Sequence, residues 1–196
     1  MGFIHESATI DDGAVVSGTA SVWANSHIRS GATVGEECVI GAGVYVGPGV
    51  HIGRRSKVQN GAQIYEPASI EIGVFIGPGA ILTNDERPRA ITELGKLKDS
   101  SDWSKVGVKV GQGASVGAGA ICVAPVEIGE WAMVGAGAVV VRDVPNFALV
   151  VGNPARQIGW VGRSGVRLIT LDQRGWECPV TGERFSLDPE LGMTLE

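Results

Sequence analysis

Histidine is scarce in this chain: His5, His27 and His51 are the only three among 196 residues. Cysteine is as scarce, and Cys38, Cys122 and Cys178 are too few and too scattered for a disulfide framework. No stretch approaches the run of about twenty apolar residues that a membrane-spanning helix needs. Met1 to Ser7 lacks the basic and apolar regions of a secretory leader, so the expected location is the cytoplasm. Basic charge is also short, with 16 Lys and Arg against 21 Asp and Glu, a formal net charge of −5. That balance argues against nucleic acid or an anionic membrane as the main partner. The deficit is uneven. Residues 141–175 hold five Arg (142, 156, 163, 167, 174) against two Asp (143, 172), whereas residues 1–50 hold one Arg against five acids. The basic stretch suits either a phosphate-bearing ligand or plain solubilising charge.

What the chain has in quantity is a six-residue beat. From Ile10 to Leu82 every sixth residue is aliphatic, thirteen positions without a miss. The beat resumes at Val110 and runs six positions to Val140, with Cys122 among them. Two places before each stands a small residue, as at Ala8, Ala62, Ala114 and Ala138. Strand alternation turns both positions inward, and the remaining residues of each hexad must turn a corner. Glycine follows the aliphatic at Gly35, Gly41, Gly47, Gly53, Gly77, Gly117, Gly129 and Gly135, where tolerance of positive φ suits a corner. Hexapeptide periodicity is the signature of a parallel β-helix, in which three hexads close one triangular coil. Coils stacked at about 4.8 Å would build a prism of roughly six turns, on the order of 30 Å tall. The expected fold is therefore all-β, with a β-helix over residues 1–140. Cys38 and Cys122 fall on core positions of the repeat, so only Cys178 in the tail has an open role and a covalent acyl-cysteine has little support.

The beat fails twice. Leu82 and Val110 are 28 residues apart, not a multiple of six, so an excursion loop leaves the prism over about 85–106. Loops of that length inside a compact domain are usually functional or disordered. After Val140 a capping segment, 141–162, is expected to cover the last coil, with Pro145 and Pro154 taking the chain out of the repeat. A tail over 163–196 carries Trp176, Cys178 and Phe185. One cysteine is too few for a zinc ribbon, and a small hairpin packing the two aromatics is the expectation.

The hexads, the loop and the closing run Asp143-Val144-Pro145 to Val151-Gly152-Asn153-Pro154-Ala155-Arg156 resemble the hexapeptide-repeat acyltransferases. The resemblance implies a left-handed winding and the use of acyl-CoA. Lys57-Val58-Gln59-Asn60-Gly61-Ala62-Gln63-Ile64-Tyr65-Glu66, with Val74 to Pro78 and Thr83-Asn84, narrows it. This run is similar to bacterial N-acetyltransferases that act on the 3-amino group of nucleotide-linked sugars for surface polysaccharide such as lipopolysaccharide. Similarity extends from residue 5 to about 161. It implies a homotrimer with acetyl-CoA in the cleft between neighbouring prisms. Asn84 would hold the acceptor near its amine, and Gln59, Asn60, Tyr65 and Glu66 would lie nearby. Trp23 and His27 match family positions on a lower coil. Acetyl-CoA would run along Gly117, Ala118, Gly135 and Ala136 toward Arg142, Asn153, Pro154 and Arg156. Asp85 departs from relatives that use glucuronate sugars, because its charge would repel a uronate unless Arg87 or Arg89 compensates.

The missing histidines bear on the chemistry. A hydroxyl acceptor usually needs a general base, whereas a neutral amine is already nucleophilic. No histidine lies in the loop or the coils beside it, which favours N-acetylation by direct attack, with backbone N–H groups at corners such as Gly117 or Gly135 stabilising the oxyanion. An O-acetyltransferase with His27 as base, supplied across a subunit boundary, is the alternative. A non-catalytic β-helical scaffold would need no excursion loop. A three-histidine zinc enzyme would place its ligands near 18-residue spacing, and the gaps here are 22 and 24. No metal is expected.

Overall fold

Each inward residue of the beat ends a two- or three-residue strand, and the residue just before it faces outward. The computed structural model describes residues 2–171, 175–188 and 192–196; Asp172 and Arg174, counted above, lie outside them. Strands 18 residues apart pair in parallel, as Lys57 with Phe75 and Gln63 with Ile81. Three sheets result, one per prism face. The first face runs from Phe3–Ile4 through Lys57–Val58 and Met133–Val134 to Ala148–Val151. The second carries Thr9–Ile10, His27–Ile28, Tyr45–Val46, Gln63–Ile64, Ile81–Leu82, Ile121–Cys122 and Val139–Val140. The third runs from Val15–Val16 to Val126–Ile128. The chain is a left-handed parallel β-helix of hexapeptide repeats.

The interior is a single apolar column. Ile28, Ile40, Ile52, Ile64, Ile70 and Ile76 are fully buried, with the small residues two places earlier filling the space between them. Cys38 and Cys122 sit in it, and burial pushes the Cys122 thiol up to about 12. Ser26 and Ser56 are buried too, and each donates its hydroxyl to a carbonyl of a neighbouring corner, Gly41 O at 2.7 Å and Glu71 O at 3.0 Å. The stack begins one hexad earlier than Ile10, since Phe3–Ile4 pairs with Ser21–Val22.

The corner glycines work differently from the sequence expectation. Positive φ falls three residues after the aliphatic, as at Gly119 (φ 64°), not directly after it. The glycine that follows the aliphatic is required by close approach. A Cβ on Gly77 would lie 2.5 Å from Ala118 N, and one on Gly117 would strike Ala136 N.

The prism also outlasts Val140. Val144 bridges in parallel to Ile128, and Ala148–Val151 pairs in parallel with Met133–Val134. Both partners stand 16 residues on rather than 18, so the last turn is shortened and Pro145 is accommodated at its corner. The chain then reverses into Arg156–Trp160, antiparallel to Ala148–Val151. In the tail, Ile169–Thr170, Gly175–Glu177, Arg184–Asp188 and Gly192–Leu195 form a four-stranded antiparallel sheet. Phe185, Met193, Cys178 and Leu168 bury themselves with Phe147 of the last turn, against Trp131 and Trp160. This cluster covers the upper end of the stack.

Ile64→Ala, made in mid-stack, is expected to lower the unfolding free energy by about 2–5 kcal/mol, read by urea denaturation. A loss under about 1 kcal/mol would mean that the column collapses around the gap rather than depending on its shape.

Candidate functional site

The excursion loop leaves the second face. Leu82 closes the strand, Thr83 remains in the coil through its N–H to Cys122 O (3.0 Å), and its hydroxyl accepts from Ala124 N (2.9 Å). Asn84 is thus held at the corner between the second and third faces. It stands one coil above Glu66, because Tyr65 N–H donates to Leu82 O. Beyond it, residues 90–98 fold back on themselves through the Ile91–Leu97 bridge and Lys98 N–H to Ala90 O (3.0 Å). A single 3₁₀ turn over Ser100–Asp102 follows, capped by Asp99, whose carboxylate accepts from the Ser101 N–H and hydroxyl. Those bonds hold the Asp99 carboxyl below its ordinary range. Trp103 then returns its indole N–H to Asn84 O at 3.2 Å. That bond ties the end of the loop to its root.

The folded loop encloses an open cavity of about 540 Å³ lined by Asn84, Asp85, Glu86, Arg87, Arg89, Lys98, Asp99, Asp102, Trp103, Ser104 and Val106. Asn84, Asp85, Arg87 and Arg89 therefore meet as a group. Asp85 accepts from Arg87 N–H at 3.1 Å, a turn contact within its own segment. The Arg87 guanidinium goes to Glu86 (3.5 Å) and that of Arg89 to Pro88 O (2.9 Å). Neither neutralises Asp85.

The other site residues flank the second face on two edges. Tyr65 and Glu66 lie on the same edge as Asn84, with Glu66 over Gly47, where any Cβ would meet its carboxylate at 2.6 Å. Gln59 and Asn60 lie across the face at the opposite corner. Asn60 is partly engaged there, because its side-chain oxygen accepts from Ala42 N (2.9 Å). Trp23 stands two coils below Gln59, exposed and edge-on to Phe3 at 4.9 Å.

His27 sits low on the second face in a network that sequence reasoning missed. Its ring bonds Asp11 at 2.7 Å, and Arg29 donates from Nε to the other Asp11 oxygen at 2.8 Å. Arg29 Nη1 donates to the Tyr45 hydroxyl at 3.2 Å, and Tyr45 packs on Tyr65 with centroids 5.3 Å apart. The hydrogen bond from His27, then that from Arg29, holds the Asp11 carboxyl below its usual range. The signal was available. Asp11 and Arg29, like His27 and Tyr45, are 18 residues apart and so occupy one column. Trp103, by contrast, lies in the excursion, where no period operates.

At the upper end the sequence-based oxyanion donors need correcting. Gly117 N–H is committed to Val134 O and Gly135 N–H to Val150 O, both at 2.8 Å. The next residues, Ala118 and Ala136, have N–H groups with no acceptor among the described residues, and they occupy the same corner as Asn60. Higher still, Arg142 and Arg156 line a small concavity of about 160 Å³ with Val141 and Gln157. Asn153 and Pro154, joined by a cis peptide, form the turn just before it and do not line it.

Asp11 generates a pH prediction. Its folded-state value lies below the unfolded one, so its contribution is present above the unfolded carboxylate range and is lost as pH falls through the folded value. Asp11→Asn is expected to flatten the acid limb of the stability curve below about pH 4, followed by urea denaturation between about pH 3 and 7. An unchanged acid limb would show that the network carries no proton linkage.

The repeat matches the bacterial transferase hexapeptide family (six repeats) over residues 18–48 and 31–66, and the hexapeptide repeat of succinyl-transferase over 107–142. No curated protein matches the chain. Among solved structures it is similar to a GDP-perosamine N-acetyltransferase from Caulobacter crescentus, determined as a histidine-to-alanine mutant with CoA and GDP-perosamine. Identity is 25%, the TM-score is 0.56, and the match covers 81% of this chain and 56% of that one. The chain thus spans little more than half of that protein's length. A maltose O-acetyltransferase from Clostridium difficile 630 shares the fold at 22% identity and a TM-score of 0.57, covering 66% of this chain and 69% of the other. So does a hexapeptide-repeat acetyltransferase from Vibrio cholerae complexed with acetyl coenzyme A, at 20% identity and a TM-score of 0.52, over 66% and 70%. By its repeat, its winding and these likenesses, the chain is a hexapeptide-repeat β-helix that resembles acyltransferases, an amino-sugar N-acetyltransferase among them.

Proposed function

We propose that this protein transfers acetyl from acetyl-CoA to the 3-amino group of a nucleotide-linked sugar, in the cytoplasm, for bacterial surface polysaccharide. The observation that carries the reading is Asn84, fixed at the mouth of the loop cavity by the Thr83 anchor and the Trp103 lock, with no histidine beside it. The C. crescentus neighbour was solved with CoA and an amino-sugar nucleotide, and the V. cholerae neighbour with acetyl coenzyme A. Acetyl-CoA is the co-substrate. The residues present suit it: bare glycine corners, the free N–H groups of Ala118 and Ala136, and the cationic pair Arg142 and Arg156 beyond them. Ala118 and Ala136 replace Gly117 and Gly135 as the donors in this reading.

In the reaction, the neutral amine, oriented by the Asn84 side chain, attacks the thioester carbonyl. Charge that develops on the carbonyl oxygen is met by one of the two free N–H groups of a neighbouring prism, which stand across the cleft from Asn84 and need no reorganisation to receive it. The C–S bond breaks, and the amine's proton passes to the departing thiolate, whose thiol pKa is about 8.5. Much of the rate comes from holding two substrates in register. A homotrimer, with the second face of one prism against its neighbour, supplies the second wall of the cleft. Because neither Arg87 nor Arg89 neutralises Asp85, the reading favours a sugar without a carboxylate, such as a deoxyhexose, over a uronate. A second reading has its own observation. Asp11 holds the His27 ring at 2.7 Å, as an oriented base would require, and this would serve an O-acetyltransferase if a neighbouring subunit brought His27 to the acceptor.

Thiol release from acetyl-CoA, run against UDP- and dTDP-linked 3-amino sugars and their 3-hydroxy analogues, tests both. Turnover of amino sugars alone is expected, reduced at least about a hundredfold in Asn84→Ala. Turnover of hydroxyl acceptors that is abolished in His27→Ala would install the second reading. In the same assay Trp103→Phe, which deletes the donor to Asn84 O, is expected to reduce turnover about tenfold with the stack intact by circular dichroism. Full activity would mean that the lock is dispensable.

A further inference from the structure

The network on the lower second face takes no part in the amine reaction above, and only its His27 enters the second reading. Asp11, His27, Arg29 and Tyr45 are joined by three hydrogen bonds, and Tyr65 packs at a tilt against Tyr45 to continue the strip upward. Both Asp11 carboxylate oxygens are occupied. Arg29 is fixed through Nε and Nη1 and lies over the Tyr45 ring at 6.0 Å, whereas its Nη2 has no partner among the described residues. Its side chain stays 38% exposed. The result is a guanidinium held rigidly from behind, with one donor edge directed away from its partners. A pre-set arginine loses little freedom on meeting an anion, and its planar fork suits phosphate oxygens.

The electrostatics of the face point the same way. Of the residues that face outward from the second-face strands or directly follow them, Arg29 is the sole Arg or Lys. The cavity at Asn84 is acidic on balance, with Asp85, Glu86, Asp99 and Asp102 against Arg87, Arg89 and Lys98, and Glu66 lies one coil below. From Thr83, the column descends through Tyr65 and Gly47 to Arg29, three coils or about 14 Å. A sugar joined to a nucleoside through a diphosphate can bridge such a span when its sugar end lies at Asn84.

We infer that Arg29, backed by Asp11 and Tyr45, is the docking point for the diphosphate of the nucleotide-linked acceptor, with Tyr45 and Tyr65 as the aromatic wall beside it. The inference rests on the proposed function for the identity of the acceptor. Acetyl-CoA also carries a diphosphate, so the test must separate the two sources.

Titration calorimetry provides that test without turnover, using UDP, dTDP, GDP, inorganic pyrophosphate and CoA one at a time. Wild-type protein is expected to bind at least one nucleoside diphosphate. Arg29→Gln weakens that binding about ten- to a hundredfold, and Arg29→Lys, which keeps the charge but loses the fork, restores only part of it. Tyr45→Phe weakens it less, and CoA affinity stays unchanged in all three, which also reports an intact fold. Equal nucleoside diphosphate binding in wild type and Arg29→Gln overturns the inference. So does binding by no nucleoside diphosphate, or a loss of CoA affinity in step with the charge. The acetyl-transfer assay keeps the two readings apart. An active enzyme whose KM for the nucleotide sugar ignores Arg29→Gln sinks this inference alone. Arg29-dependent binding of a nucleoside diphosphate in a protein that acetylates nothing sinks the proposed function alone.

Discussion

The separation between levels of the prism is set by the hydrogen bonds between stacked coils. The N–H of one coil finds the carbonyl of the next, as Gly41 N to Val58 O at 2.7 Å and Gly77 N to Val116 O at 2.7 Å. The ladder holds only if backbones approach closely at the corners, and that is why a Cβ cannot be tolerated at Gly77 or Gly117. It fixes register as well, because a slip would turn the outward residue of each short strand into the core and the aliphatic outward. The apolar column supplies the driving force, but the ladder decides where each side chain emerges.

Much of this was legible in the sequence. A period of six with paired inward positions specifies the coil, and the interval between Leu82 and Val110 locates the loop. Other features escaped for physical reasons. Ile4 is on the beat but stands at the open end of the stack, where its neighbours are half-exposed and the pattern carries less weight. The glycines after each aliphatic were read as turn residues, although their role is clearance from the next coil, a contact between residues far apart in sequence. The shortened last turn replaces an 18-residue step with 16, so a strict period ends before the prism does.

The candidate site shows the same division. Asn84 and Asp85 could be placed because they sit at the root of the excursion, one step from the repeat. The Trp103 lock and the Asp99 cap depend on how the loop folds back, which no period encodes. Asp11, Arg29 and Tyr45 lie between these cases, since their 18-residue spacing is visible only once the coil is known. The N–H groups of Ala118 and Ala136, without an acceptor among the described residues, belong with them. A sequence does not show which amides a ladder will consume.

A β-helix is also a ruler. Each turn returns side chains to the same three columns and advances them by one strand spacing, so the separation between two groups on a face comes only in whole increments of about 4.8 Å. Inserting or deleting one complete turn between the Arg29 level and the Asn84 level would leave every core position and every corner in phase. It would lengthen or shorten the span between them by one graduation. Point substitution cannot change that interval, because both ends are clamped to the ladder. A chain built this way can retune the spacing between two groups on one face by gaining or losing a turn, without redesigning either end.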